Sequence, residues 1–188
     1  MTRITKEPEV RRQEIMDTAI ELFYLNGYDK TSISDIAAKI GIAQGLCYRY
    51  FKSKEELFDS AVDYYSEQQV NEMRPFLSDL NKTLKQKLFD TPTFMETEQD
   101  NSFYYKVFHG ANSHKIHDQL SMKICSKLVP LITEQIQREI DAGQLHIADA
   151  ETAASFCTYG QLGILLREDL TGEEKIERIR AFLLQLLH

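Results

Sequence analysis

The chain has 188 residues, of which 43% are hydrophobic and 27% charged, and its formal net charge at pH 7 is −7. This composition is typical of a globular protein with one large or two modest domains. The apolar runs are far shorter than the roughly 20 residues of a membrane-spanning helix, and the amino-terminal segment lacks the apolar core of a signal peptide. We therefore expect a cytoplasmic protein with no membrane partner.

The charge is divided unevenly along the chain. Residues 1–54 hold nine Lys or Arg and seven Asp or Glu, a net charge of +2, whereas residues 55–188 hold 13 and 22, a net charge of −9. A locally basic segment attracts phosphates even in an acidic protein. The three cysteines are odd in number and widely spaced, which predicts reduced, buried thiols and no disulfide.

The amino-terminal third predicts three helices, the first of them from Glu9 to Asn26 with Gly27 as its C-cap. A second, shorter helix begins after Ser32, because Ser32 and Asp35 have the spacing of a capping box. Its apolar positions recur as on one face of a helix; they are Ile33, Ile36, Ala37 and Ile40. Gly41 follows directly, which suits the sharp turn of a helix-turn-helix.

A third short helix is predicted from Gln44. Its polar half would present Gln44, Tyr48 and Arg49 outward, where these side chains can reach base edges in a DNA major groove. Its opposite half is more apolar and would pack inward; it holds Leu46, Cys47, Tyr50 and Phe51. Ser53 and Glu56 then predict another capping box, which places Lys54 in a first helical turn, where a phosphate can bind.

The string GIAQGLCYRYFKSKEELF, from Gly41 to Phe58, resembles the DNA-binding domain of tetracycline-repressor (TetR) family transcription regulators, and the resemblance extends over about residues 10–66. It implies base or phosphate contacts from Gln44, Gly45, Tyr48, Arg49 and Tyr50, and phosphate contacts from Thr31, Ser32 and Lys54. The sequence departs from the family at Ala43, where Ser is common, and at Leu46, where a small polar residue is common.

The rest of the chain predicts further helices and no strand. A helix from Ser53 stops before Pro75, and a helical stripe follows at Phe76, Leu80, Leu84 and Leu88. Residues 91–101 break the pattern and predict a loop or short helix. Further helices are predicted at 102–111, at 116–142, from Asp149 to about Asp169, and from Thr171 onward. We therefore predict an all-α fold, with a three-helix helix-turn-helix DNA-binding domain (1–53) on a larger helical ligand-binding and dimerisation domain (54–188).

The last two predicted helices are candidates for a dimer interface, because they combine small residues with an unusually apolar final segment. The candidate residues are Ala153, Cys157, Gly160, Ile164, Ile179, Leu183 and Leu186. Burial of these residues within a single chain is the alternative. A helix-turn-helix protein that reads a palindrome needs two DNA-binding domains, here called heads (residues 1–53), about 34–36 Å apart. The family resemblance also implies dimerisation through the last two helices.

The resemblance further implies a ligand pocket in the larger helical domain (54–188), here called the body. Binding of a ligand in this pocket would release DNA. The candidate lining residues are Tyr64, Phe103, Phe108, Met122, Cys125, Phe156 and Tyr159, and the alternative for each is ordinary core packing. Aromatic and Met side chains suit a small apolar or amphiphilic effector. The histidines at 109, 114 and 117 have no recognisable metal-ligand spacing, so we predict neither a metal nor a cofactor.

The sequence thus predicts a transcriptional repressor that binds a double-stranded palindromic operator as a homodimer and responds to a small molecule. An enzyme is disfavoured because no nucleophile elbow, phosphate-binding glycine loop or metal motif occurs. A helix-turn-helix used for protein interaction or nucleoid association, without a small-molecule effector, remains the alternative.

Overall fold

The computed structural model describes residues 6–90, 114–167 and 169–186. Within them the secondary structure is helical and contains no strand, which confirms the all-α prediction. The helices are α1 (Pro8–Asn26), α2 (Ile33–Ile40), α3 (Gln44–Tyr50), α4 (Lys54–Leu77), α5 (Leu84–Asp90), α6 (His114–Asp141), α7 (Ala150–Tyr159), α8 (Leu162–Leu165) and α9 (Gly172–Leu186). The loop or short helix predicted at 91–101 and the helix predicted at 102–111 lie outside the described residues.

The described residues fall into two compact units. The first contains α1 to α3, α4 as far as Tyr65 and the start of α6 as far as Leu120; the second contains the remainder. None of the helices described is both long and apolar enough to cross a membrane. The functional division predicted between residues 53 and 54 stays a prediction, since compactness alone does not define function.

The core of the first unit forms where α1, α2 and α3 meet the start of α4. Ile15, Ala19 and Phe23 of α1 are fully buried, as is Ile36 of α2. The Phe23 ring meets the Phe58 ring of α4 edge-on, with centroids 5.6 Å apart. Edge-to-face aromatic pairs add stabilisation beyond the area they bury, so this contact holds α1 against the start of α4.

Three helix ends differ from the sequence predictions. Helix α4 continues past Pro75 to Leu77, so the predicted stop is wrong; a proline in the last turn removes only one hydrogen-bond donor. The stripe from Phe76 to Leu88 is not one helix but is broken before α5. At the break, Asp79 accepts a hydrogen bond from the Asn81 amide at 2.9 Å, and the Thr83 hydroxyl caps the Gln86 amide at 3.2 Å.

The helix predicted from Asp149 to about residue 169 begins as expected but ends early. The Asp149 carboxylate accepts hydrogen bonds from the Glu151 and Thr152 amides at 3.0 and 3.1 Å. Helix α7 then ends at Tyr159, and Gly160 separates it from the short α8. The capping box of Thr171 and Glu174 at the start of α9 is present as predicted.

The second unit has its own core, beside which a lysine is buried. Its core cluster consists of Leu84, Ile136, Leu145, Ala150 and Ala154. Beside it, the buried Lys87 ammonium donates to the Leu77 carbonyl at 2.5 Å and to Gln135 Oε1 at 2.7 Å. Desolvation lowers the pKa of Lys87. Buried charges require such partners, so Lys87 acts as a structural link between α5 and its neighbours.

Candidate nucleic-acid interface

The turn between α2 and α3 has the geometry that a helix-turn-helix requires. The Ser32 hydroxyl caps the Asp35 amide at 3.2 Å, and the Asp35 carboxylate accepts from the Ser32 amide at 2.8 Å, so the predicted capping box is present. At the other end of α2, Gly41 has a left-handed φ of 77°, and the Ile42 amide donates to the Ala37 carbonyl at 3.0 Å. Both ends of α2 are therefore satisfied within the motif.

Helix α3 exposes the side that the sequence assigned to DNA. Gln44, Gly45, Tyr48 and Arg49 are all exposed, whereas Cys47, on the opposite side, retains only 1% of its accessible surface. Burial raises the pKa of the Cys47 thiol, which favours its neutral form in the core. A buried inner face and a polar outer face are what a recognition helix needs to enter a groove.

Three further residues of this region differ in how much they offer to a ligand. Tyr50 is partly buried, so only part of its surface is open to solvent. The Ser32 hydroxyl is exposed but already donates to Asp35 at 2.6 Å, and these hydrogen bonds hold the pKa of Asp35 below its ordinary value. Ala43 precedes α3 without a side-chain cap, as expected from the sequence. The DNA contacts predicted for Ser32 and Tyr50 stay predictions.

Thr31 is placed differently from what a phosphate contact requires. It is only 1% exposed, and its hydroxyl donates to the carbonyls of Gly27 at 3.0 Å and Leu22 at 3.2 Å. Its amide donates to the Tyr28 carbonyl at 3.2 Å. In this conformation Thr31 therefore has no exposed donor for DNA, and it orders the loop that precedes α2 instead.

Lys54 is also engaged inside the protein. Its Nζ donates to the carbonyls of Tyr28 and Thr31, each at 3.0 Å, and lies 4.2 Å from the centroid of the Tyr28 ring. The capping box predicted between Ser53 and Glu56 is half formed. The Ser53 hydroxyl caps the Glu56 amide, but the Glu56 carboxylate accepts from the Lys52 amide and not from the Ser53 amide. Lys52, by contrast, is exposed.

Several basic residues of the head are paired with acidic neighbours. Lys6 and Arg11 both reach the Glu14 carboxylate, at 2.7 and 2.6 Å, and Lys39 reaches Glu21 at 2.6 Å. Ion pairs at partly exposed sites are weak and salt-sensitive, so these cations can exchange partners with a phosphate. They add positive potential around the motif without fixing a contact.

The predicted ligand-pocket residues differ widely in how far they are buried. Cys125 is buried and its Sγ lies 3.7 Å from the Thr158 carbonyl oxygen; burial raises the pKa of this thiol to about 11. Tyr64 and Tyr159 are partly buried, but Met122 and Phe156 expose 52% and 75% of their surface. The remaining candidates, Phe103 and Phe108, lie outside the described residues. The pocket stays a prediction, and Phe156 is too exposed to line an enclosed cavity formed by the described residues.

The second unit carries an open groove of about 590 Å³ in a place that the sequence did not indicate. It is lined by Val129, Pro130, Thr133, Glu134, Gln137, Arg138, Asp141 and Glu151. None of the predicted pocket residues contributes to it. Among the described residues, moreover, no group of three or more His, Cys, Asp or Glu side chains is arranged to hold a metal ion.

The predicted dimer residues divide between the protein interior and its surface. Leu183 is only 7% exposed and Ala153 packs against the core cluster, whereas Leu186 is 42% exposed and Gly160 is exposed. The remaining three, Cys157, Ile164 and Ile179, are partly buried. Helix α7 directs Ala150, Ala154 and Thr158 into the core, so the predicted small-residue stripe lies beside the buried face.

Sequence reasoning missed two residues of functional interest. Tyr28 packs against Phe23 and Phe58, with ring centroids 5.1 and 4.9 Å apart, and also receives Lys54. Phe182 exposes 60% of its surface on α9, where the sequence indicated an unusually apolar final helix but not which of its side chains are exposed. For Tyr28, the only available sequence signal was a glycine-tyrosine pair directly after a helix. For Phe182, no sequence signal showed that the aromatic side chain on α9 is exposed.

Comparison with known proteins places this motif in a family. Residues 15–61 match the family model of bacterial regulatory proteins of the tetR family. Among curated relatives, the HTH-type transcriptional regulator YerO of Bacillus subtilis, itself uncharacterised, is 40% identical over 70 residues, which is 37% of this chain and 24% of that protein. The sequence match spans only 24% to 42% of the length of three such relatives.

Solved structures extend the likeness to the whole fold. A protein from Syntrophomonas wolfei, assigned to the TetR family, matches with a TM-score of 0.68 at 24% identity over 96% of each chain. FadR from Bacillus subtilis, solved in complex with stearoyl-CoA, matches with a TM-score of 0.65 at 19% identity over 93% of this chain and 97% of that chain. The matched family model thus identifies residues 15–61 as similar to the DNA-binding domain of bacterial regulatory proteins of the tetR family, and the structural likeness shows that the chain shares the fold of these solved structures.

Proposed function

We propose that this chain is a transcriptional repressor that binds a palindromic operator in double-stranded DNA as a homodimer and is released by a small apolar or amphiphilic effector. It would act in the cytoplasm. The observation that carries the proposal is the outer side of α3, where Gln44, Tyr48 and Arg49 are exposed together while Cys47 anchors the helix from behind.

Arg49 is the proposed main base contact. Arginine binds guanine bidentately through its O6 and N7 atoms, and such a pair discriminates against a wrong base by about 1–3 kcal/mol. Gln44 and Tyr48 would contact neighbouring bases or phosphates, and the open backbone at Gly45 allows close approach, since no atom beyond its own stretch of helix backbone lies within 4 Å of the position its Cβ would take. Ser32 and Tyr50 complete the proposed contacting set.

The Arg49→Ala variant tests this assignment. On the duplex that the wild-type protein selects from a random library, we expect a loss of affinity of roughly 5- to 150-fold, from the same energy range. Arg74→Ala is the matched control, because Arg74 is an exposed arginine of α4 in the second unit. Equal affinities for the two variants would show that α3 does not read the DNA as proposed.

The proposed homodimer interface involves α7 and α9. Phe156 on α7 and Phe182 on α9 expose 75% and 60% of their surface, and Leu186 exposes 42%. Aromatic side chains are enriched at protein interfaces. A partner copy that covers these helices would remove this apolar surface from water and would supply the second DNA-reading head.

Sedimentation of Phe156→Asp and Phe182→Asp tests the interface. We expect either substitution to convert a dimer into a 21.8-kDa monomer at micromolar concentration. Leu80→Asp is the control, since Leu80 is 67% exposed but lies outside α7 and α9. If the wild type is already monomeric, or if all three variants remain dimeric, these two helices are not the interface.

The proposed effector is the least constrained part. Its support is the fold shared with a regulator that was solved in complex with stearoyl-CoA, and the burial of the predicted lining residue Cys125 in the second unit. A thermal-shift screen of apolar and amphiphilic compounds, stearoyl-CoA among them, would reveal ligands of the free protein. A compound that stabilises the protein and also lowers its affinity for DNA supports the proposal; DNA binding without any responsive compound favours the effector-free alternative.

A further inference from the structure

We infer that Lys54 is a positioning residue for DNA binding, whose ammonium holds the loop before α2 against the first turn of α4, and that it does not serve as a phosphate ligand. This inference rests on the proposed function of the head. Its basis is the group of contacts between Lys54, Tyr28 and Thr31, which we call the clasp.

The clasp occupies most of the bonding capacity of the ammonium. Two of its three N–H donors are directed to the carbonyl oxygens of Tyr28 and Thr31, each at 3.0 Å. The Tyr28 ring lies 4.2 Å away, within the range in which an aromatic face attracts a cation. Hydrogen bonds from a charged donor are stronger than neutral ones, so moving Nζ to a DNA phosphate would break two strong bonds.

The loop that Lys54 holds is itself immobilised from the other side. The buried Thr31 hydroxyl donates to Gly27 and Leu22, and the Tyr28 ring packs on Phe23. The loop leads directly into Ser32, the N-cap of α2. The clasp thus fixes where α2 begins, and through the turn at Gly41 it fixes the position of α3.

Lys52 provides a matched comparison within the same turn. It is exposed, lies two residues before Lys54 and carries the same charge. The variants Lys52→Met and Lys54→Met therefore remove the same charge from nearly the same place in the head. A phosphate ligand and a positioning residue then differ in a measurable way, because each phosphate contact contributes about 0.9 to the slope of log affinity against log salt concentration.

The experiment measures that slope on the selected duplex, together with hydrogen exchange of the free protein over the loop from Gly27 to Ser32. For Lys54→Met we expect roughly tenfold weaker DNA binding, the same salt slope as for the wild type, and faster exchange in the loop. Lys54→Arg, which keeps charge and donors, should restore much of the affinity and the loop protection. Lys52→Met should leave loop exchange unchanged.

Two results would overturn the inference. One is a salt slope for Lys54→Met whose magnitude is smaller than that of the wild type by about 0.9, as loss of a phosphate contact requires. The other is unchanged loop exchange in Lys54→Met. If this variant fails to fold while Lys52→Met folds, the inference is supported, since loss of a surface phosphate ligand would leave the free protein folded. If the wild type selects no duplex, the proposed function fails, and the exchange measurement alone decides the role of Lys54.

Discussion

The missing cap of α3 provides a gain-of-stability prediction. Ala43 is exposed and has the extended backbone of an N-cap, with φ of −69° and ψ of 138°, but no side chain caps the helix. The Leu46 amide already donates to the Ala43 carbonyl at 2.8 Å, so a new hydroxyl in Ala43→Ser would accept from the Gly45 amide. Such caps stabilise by roughly 0.5–2 kcal/mol, and we expect about 1 kcal/mol here because the site is exposed.

Hydrogen exchange over α3 measures this effect locally, for example at the Phe51 amide, which donates to the Cys47 carbonyl at 3.0 Å. A gain of about 1 kcal/mol corresponds to roughly fivefold slower exchange. The control is Ala38→Ser on the exposed side of α2, where a mid-helix serine is expected to destabilise by about 0.5 kcal/mol. Unchanged or faster exchange of α3 in Ala43→Ser would refute the account of how this helix begins.

Three further predictions concern the second unit. A Cβ on Gly160 would lie 2.5 Å from the Phe156 carbonyl oxygen, whereas one on Gly163 meets nothing within 4 Å. Gly160→Ala should therefore destabilise the protein by about 1–3 kcal/mol in denaturant titrations. In the same titrations, Gly163→Ala should be neutral or stabilising by up to about 1 kcal/mol. Burial raises the pKa of Cys125 to about 11, so its thiol should resist alkylation at pH 8 until the protein unfolds, and rapid labelling of the native protein would contradict its burial. Because this folded-state pKa exceeds the unfolded value, the contribution of Cys125 to stability should be complete below about pH 9 and lost as the pH rises to about 11, a loss that Cys125→Ala should abolish in melts across that range.

The sequence predicted the helix-turn-helix well because its signals are local. The capping box of Ser32, the turn at Gly41 and the polar side of α3 each follow from residues within four positions of one another. Short-range hydrogen bonds and helical periodicity are sufficient to fix these features. The missing cap at Ala43 followed from the identity of that residue alone.

The body was harder to predict because apolar spacing does not reveal a break. Leu80 and Leu84 continue a four-residue stripe, yet Leu80 is 67% exposed in a turn and Leu84 begins α5. The Asp79 turn and the Thr83 cap were present in the sequence, but the periodic stripe outweighed them. At Pro75 the error was the opposite, because a helix end was predicted where the helix continues to Leu77. A proline near a helix end is less disruptive than one in its interior.

The roles of Lys54 and Phe156 depend on tertiary contacts that no local pattern reports. A lysine in the first turn of a helix suits a phosphate, but here the carbonyls that bind it lie 26 and 23 residues earlier in the chain. The aromatic side chain of Phe156 suggests a position in the core or in a pocket, yet it is exposed on α7 in the single chain. Only the packing of distant segments distinguishes these alternatives.

The central claim is that α3 reads a specific DNA sequence from both subunits of a dimer. Selection of duplexes from a random library with the purified wild-type protein, sequenced after several rounds, tests it most directly. We predict enrichment of one palindrome whose half-sites are about one helical turn, 34–36 Å, or a multiple of it apart, and loss of that enrichment in Arg49→Ala. Recovery of no preferred sequence, or of the same palindrome with Arg49→Ala at undiminished affinity, would contradict the account.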